Sequence, residues 1–251
     1  MEAGIALLKG IRDTQSEAIE QASKLCAKAI AADGLVHLFG TGHSRIPVEE
    51  MFPRYGSYPG FHPMVELSMT FHTQVVGANG QRQAMFIERT PGLAEVILSN
   101  FQFGKDDVML IFSASGLGAV VVEMARGAHR RGMRVIAVTS VAQSRAGDLE
   151  PGVDGRLLDE ADVVIDLCTP AGDALIRLDG RPETPIGPGS TLASVAIADW
   201  IKVRTAELLL AEGKLPPVIT SATEVGRKRS DELFDAAYRE HARRAARSLA
   251  V

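Results

Sequence analysis

Cysteine is nearly absent. Cys26 and Cys168 are the only two in 251 residues, too few for a disulfide framework and without a C-x-x-C spacing for a metal, so a reducing compartment is expected. An excess of positive charge is absent as well. Lys+Arg number 27 against 31 Asp+Glu, a net charge of −4, which leaves no global field to draw in nucleic acid or an anionic membrane surface. A small anionic ligand therefore needs a local site. Long apolar runs are missing too: the longest uncharged stretch, Val108 to Val122, is broken by Ser113, Ser115, Gly116 and Gly118 and falls short of the roughly 20 apolar residues a membrane-spanning helix needs. The opening MEAGIALLKG has no basic region leading into an apolar core, so no signal peptide is expected and a cytoplasmic location is. No repeat, low-complexity tract or Ser/Gly-rich linker divides the chain. The expectation is one domain over residues 1–251, with a helix in 1–34, an α/β core in 35–213 and a helical extension in 214–251.

What is present is 46% hydrophobic residues and 23% charged, enough apolar material for a substantial core. Residues 4 to 32 space Ile5, Leu8, Ile11, Ile19, Ala22, Leu25 and Ala29 as an amphipathic helix that ends at Asp33-Gly34. Leu35 to Phe39 then reads as a short strand running into Gly40-Thr41-Gly42-His43-Ser44 and a helix that Pro53 or Gly56 interrupts. Val108 to Phe112, Arg134 to Val138 and Val163 to Leu167 repeat the pattern of short apolar strands, with a helix predicted from Val120 to Arg131. Ala174 to Leu178, followed by Asp179-Gly180, reads as one arm of a hairpin. Residues 190 to 212 form a long helix stopped by Gly213 and Pro216-Pro217. Strands alternating with helices point to a parallel sheet covered on both faces. The segment Val225 to Arg247 carries seven Lys/Arg and four Asp/Glu and reads as a solvated helix that docks by an apolar stripe.

In such a sheet, ligands bind at the carboxyl ends of the strands. Three hydroxyl-bearing loops fall there: Gly40 to Ser44, Ser113-Ala114-Ser115-Gly116, and Thr139-Ser140. Glycine lets the backbone approach an anion, and serine hydroxyls donate to its oxygens without adding charge. The dinucleotide fingerprint G-x-G-x-x-G fails because Arg45 stands at its third glycine, and no Gly-Lys-Ser/Thr of a nucleotide P-loop exists.

G-x-G-x-S after the first strand, S-x-S-G after a later one, and Gly189-Ser190-Thr191 opening a long helix together resemble the sugar isomerase (SIS) domain family over nearly the whole chain. Glu88-Arg89-Thr90-Pro91-Gly92 and Pro170-Ala171-Gly172-Asp173-Ala174 are similar to a bacterial SIS subfamily classed with phosphosugar isomerases. The resemblance implies a flavodoxin-like, five-stranded parallel sheet between helices, with extra N- and C-terminal helices. It also implies a small anionic sugar as ligand, no organic cofactor, no metal, and a homodimer or homotetramer with the site near a subunit interface. Ser44, Ser113 and Ser115 match the hydroxyls that grip the phosphate, and Gly116 supplies backbone N–H. Gly40, Thr41, Gly42, His43, Arg45, Thr139, Ser190 and Thr191 complete the expected binding set. Where the family pattern continues S-x-S-G-x-T/S, this chain has Gly118, so one phosphate hydroxyl is missing and a sulfonate, or a phosphate held partly by Arg45, stays open.

An aldose-ketose isomerase moves a proton between C2 and C1 through an enediol and needs a second group for ring opening. Glu50, ten residues after Gly40, matches a glutamate in the isomerase half of glucosamine-6-phosphate synthase and is the first candidate for the base. An i, i+4 pair with Arg54 is the alternative reading. For the second group the candidates are His43, His62 and His72, with Glu66 and Glu88 as alternative acids; His72 and Glu66 join Glu50 in the expected catalytic set. His37, His129 and His241 are assigned no role. An ether-cleaving lyase and a phosphosugar sensor share these binding motifs, although only about 34 residues precede the first strand, too few for a helix-turn-helix domain.

Overall fold

The computed structural model describes residues 1–70, 80–149 and 152–249. Four strands of its sheet are apolar runs of the sequence, β1 (Val36–Gly40), β3 (Val108–Phe112), β4 (Arg134–Thr139) and β5 (Val163–Asp166), and a short edge strand β2 (Phe61–Pro63) joins them; all are parallel, in the order β2-β1-β3-β4-β5. Successive side chains of a strand point to opposite faces, and both faces here are covered, so the central strand β3 is apolar and buried throughout rather than alternating. Val108, Leu110 and Phe112 enter one core with the 30-residue α1 (Glu2–Ala31) and the 22-residue α9 (Ser190–Ala211). Met109 and Ile111 enter the other, with α5 (Leu93–Leu98) and α6 (Ala119–Arg130).

β1 has β2 on one side and β3 on the other, so the winding reverses between β1 and β3. Gly40 lies opposite Phe112, and Phe112 opposite Val138, which brings the three hydroxyl loops out at one edge. That edge, at the reversal, is where an open parallel sheet forms its ligand crevice. The hairpin β6 (Ala174–Leu178) and β7 (Arg181–Pro188) is a separate two-stranded sheet between β5 and α9. Among the described residues no helix is long and apolar enough to cross a membrane.

Three local features differ from the sequence reading. The stretch from Gly56 to Thr70, to which the sequence reading assigns no strand, holds edge strand β2, only three residues long and closed by a proline. At its entry Gly60 has φ +130°, and a Cβ there would stand 2.6 Å from the Ile30 side chain. The α1 terminus takes its left-handed residue at Asp33 (φ +66°) rather than Gly34, a conformation in which Asp is less costly than most residues. The last long helix, α11 (Arg227–Leu249), docks through guanidinium groups as much as through an apolar stripe, since Phe234 and Leu249 are exposed while Arg244 is buried.

Toward the amino ends of β1 and β3 lies a buried polar chain. Asp107 Oδ2 stands 2.9 Å from His37 Nε2, and His37 Nδ1 stands 3.0 Å from His62 Nδ1. Burial acts against the Asp107 carboxylate, but the contact with His37 and the N–H groups of Leu35 and Gly104 outweigh it and hold its pKa below the ordinary value. Burial, together with the neighbouring His37 and His241, lowers the His62 pKa from 6.5 to about 4. An unfolded chain thus takes up a proton near pH 6.5 that the fold refuses until about pH 4. The stability contributed by the neutral ring is present above pH 6.5 and falls as the pH drops through that value. Urea titrations should show a loss of about 2 to 3 kcal/mol from this group between pH 7.5 and 4.5, and His62→Gln should flatten that part of the slope. An unchanged slope in the variant would mean that other groups carry the acid response.

Candidate functional site

A cavity of about 470 Å³ opens at the carboxyl ends of β1 and β3. Its first wall is the β1 loop, a 3-10 turn (Gly42–Ser44) that leads into α2 (Arg45–Met51) and presents Thr41, Gly42, His43 and Ser44. Glycine is required at the strand exit: a Cβ on Gly40 would stand 2.3 Å from the Ser44 carbonyl oxygen. Gly42 has φ +54°, the left-handed region that glycine enters freely.

The second wall is the β3 loop. Ser113 Oγ accepts from the Gly116 N–H at 3.1 Å and Ser115 Oγ from the Leu117 N–H at 3.4 Å. Each hydroxyl spends acceptor capacity inside the loop and keeps its proton for an acceptor outside it, the polarity an anionic oxygen requires. Thr139, expected to contact ligand, instead supports this loop from below. It is fully buried and its hydroxyl donates to the Ala114 carbonyl.

The third wall joins segments far apart in sequence. Glu88, just after α4 (Gly80–Ile87), lines the cavity; its Oε2 accepts from the Thr41 hydroxyl at 2.8 Å, and its carbonyl accepts from Val120 N–H in the first turn of α6. A Cβ on Gly118 would stand 3.3 Å from that carbonyl oxygen, a close contact at the position where the S-x-S-G-x-T/S pattern carries a hydroxyl. Asp173, Ser190, Thr191 and Ser194 close the cavity at the start of α9. The described lining thus bears seven hydroxyls, two carboxylates and the imidazole of His43, with no Lys or Arg. Among the described residues no group of three or more His, Cys, Asp or Glu is arranged to hold a metal ion.

The SIS domain family profile matches residues 1–140. The chain belongs to the SIS domain family. It is 34% identical to a UPF0309 protein of Brucella abortus strain S19, covering 94% of this chain and 93% of that one. A UPF0309 protein of Listeria innocua is 30% identical, covering 86% and 85%. Among solved structures, a phosphoheptose isomerase from Francisella tularensis superposes with a TM-score of 0.50 at 16% identity, over 80% of this chain and 94% of that one. The Vibrio vulnificus NanR protein complexed with ManNAc-6P gives 0.50 at 12% identity, over 93% and 67%.

Within this SIS chain the expected site residues separate. Thr41, Gly42, His43, Ser44, Ser113, Ser115, Ser190 and Thr191 share the cavity. Gly40 and Gly116 shape its loops without lining it. Arg45 pairs with Glu49 and is not part of the lining. Glu50, the expected base, does not line it either: Oε2 pairs with Arg54 at 2.8 Å and Oε1 with the buried Lys202 of α9 at 3.2 Å. Glu66 accepts from the Ser68 hydroxyl at 2.8 Å, outside the cavity, and His62 belongs to the buried chain with His37. His72 lies outside the described residues. Glu88, weighed as an alternative acid, is the glutamate that reaches the cavity. Asp173 was visible only as part of a subfamily segment, and Gln143, which also lines the cavity, carried no sequence signal.

Proposed function

We propose that this SIS protein is an aldose-ketose isomerase acting on a phosphorylated sugar, with Glu88 as the base. The observation that carries the reading is a carboxylate fixed by Thr41 in the same cavity as two serine hydroxyls whose protons are free to bind an anion. The phosphate sits on the Ser113–Ser115 loop, and Glu88 moves a proton between C2 and C1 through an enediol. His43, exposed at the rim, exchanges protons with the ring oxygen and the anomeric hydroxyl. Nothing in this route requires an organic cofactor or a metal. Support comes from SIS membership and from the isomerase and phosphosugar-bound structures that share the fold, which at their low identity speak for the scaffold rather than the reaction. The protein works as a homo-oligomer, a second copy covering the exposed apolar residues Ile5, Leu8 and Leu192 near the start of α9.

The test incubates the purified protein with five- to seven-carbon aldose and ketose monophosphates in deuterated water and follows the sugars by NMR. Deuterium at C1 or C2 together with the ketose partner is the expected result. A monophosphate that raises the melting temperature but yields no isomer in a direct product assay would replace catalysis with sensing, and release of an acid from the sugar would replace it with ether cleavage.

A further inference from the structure

α6 and α9 both start beside the cavity, each with a glycine at its N-cap, Gly118 and Gly189, that offers no side-chain cap. At α9 the missing cap is supplied by Asp173. Its Oδ1 accepts from the N–H groups of Gly189 at 3.1 Å and Ser190 at 2.7 Å, and its Oδ2 accepts from the Ser190 hydroxyl at 2.7 Å. Asp173 has φ +67°, a left-handed conformation that Asp and Asn tolerate best among residues with a side chain. The positive end of a 22-residue helix is thereby neutralised by a carboxylate that itself lines the cavity. Among the described residues no carboxylate does the same at α6, whose first turn meets the neutral carbonyl of Glu88.

The hydroxyls beside these two starts have opposite polarity. Ser113 and Ser115 accept from loop N–H groups and turn their protons outward. Ser190 gives its proton to Asp173 and offers only lone pairs to a ligand, which suits the O–H of a sugar and repels an anionic oxygen. We propose that Asp173 is a specificity-determining residue that reserves the cavity for sugars with a single anionic group, seated on the Ser113–Ser115 loop, and rejects those carrying a second, such as bisphosphates and phosphorylated sugar acids. This rests on the sugar-phosphate reading above and sharpens it. With no Lys or Arg in the described lining, a second anion finds no countercharge and stands against a carboxylate in a cleft of reduced dielectric.

The experiment measures calorimetric affinities for matched pairs: glucose 6-phosphate with 6-phosphogluconate, fructose 6-phosphate with fructose 1,6-bisphosphate, ribulose 5-phosphate with ribulose 1,5-bisphosphate, and sedoheptulose 7-phosphate with its 1,7-bisphosphate. In the unaltered protein the monophosphate that binds should be favoured over its doubly anionic partner by at least about tenfold, and Asp173→Asn, which suits the same φ, should bring the ratio to within about threefold. Equal binding of both partners by the unaltered protein overturns the proposal, as does a ratio that Asp173→Asn leaves unchanged. Should the variant fail to fold, the ratio in the unaltered protein decides alone. Binding of no phosphorylated probe at all overturns the sugar-phosphate reading and the proposal together, whereas equal binding of both partners leaves that reading standing.

Discussion

Replacing Glu88 by glutamine is expected to lower turnover of the sugar phosphate by about two to four orders of magnitude, the usual contribution of a positioned base. Binding of the same sugar should change by no more than about threefold, since glutamine keeps the volume and can still accept from Thr41, so the loss falls on kcat rather than KM. The companion variant is Glu50→Gln, which removes a charge from the buried Lys202 but touches nothing in the cavity. It should keep its turnover and lose less than about 1 kcal/mol of stability, since Lys202 keeps the Asp199 carboxylate at 3.0 Å and the Glu50 carbonyl at 3.0 Å and the glutamine amide oxygen can still accept from it. A normal kcat for Glu88→Gln together with a collapsed kcat for Glu50→Gln, at unchanged melting temperature, would return the base to Glu50.

The contrast between these two glutamates shows where the sequence stops being legible. The loops after β1 and β3 could be read because strand, glycine turn and helix are contiguous, and the chemistry they carry is local. Glu50 was placed by a resemblance that rests on its spacing from Gly40; α2 is only seven residues long, and that side chain pairs with Lys202, 152 residues away, outside the cavity lining. Glu88 reaches the cavity through partners at Thr41 and Val120, neither of them a sequence neighbour. Asp173 is set by a hairpin whose second arm, Arg181–Pro188, has no strand-like alternation and includes three prolines. Sheet order shows the same division. Four of the five strands are apolar runs that announce themselves, whereas Phe61–Pro63 pairs only because Gly60 allows the chain to pass against Ile30.

The charged segment near the C-terminus is where composition misled about energetics rather than structure, and Arg244→Met should expose the difference by costing about 1 to 3 kcal/mol, the range for leaving a polar group without its hydrogen-bond partner. Arg244 is 6% exposed and donates to the carbonyls of Ile30 at 3.0 Å and Gly34 at 2.9 Å, beyond the end of α1, while its Nε holds Glu240 at 2.7 Å. Arg243 and Arg247 close on Asp33 from the same helix. Methionine fills much of the arginine stem but leaves the partly buried Gly34 carbonyl without its donor, a loss that exceeds what an exposed ion pair returns. Asp33→Asn separates the two contributions, because it preserves the left-handed backbone at φ +66° and removes only the charge that three guanidiniums share. That variant should lose less than Arg244→Met, and its deficit should shrink in high salt, since the pairs to Arg243 and Arg247 are solvent-accessible. If urea unfolding shows Arg244→Met to cost under about 1 kcal/mol, the helix is held instead by its aromatic contacts. Those are the stacked rings of Phe234 and Tyr238, centroids 4.5 Å apart, and the packing of Phe52 against Tyr238 and His241.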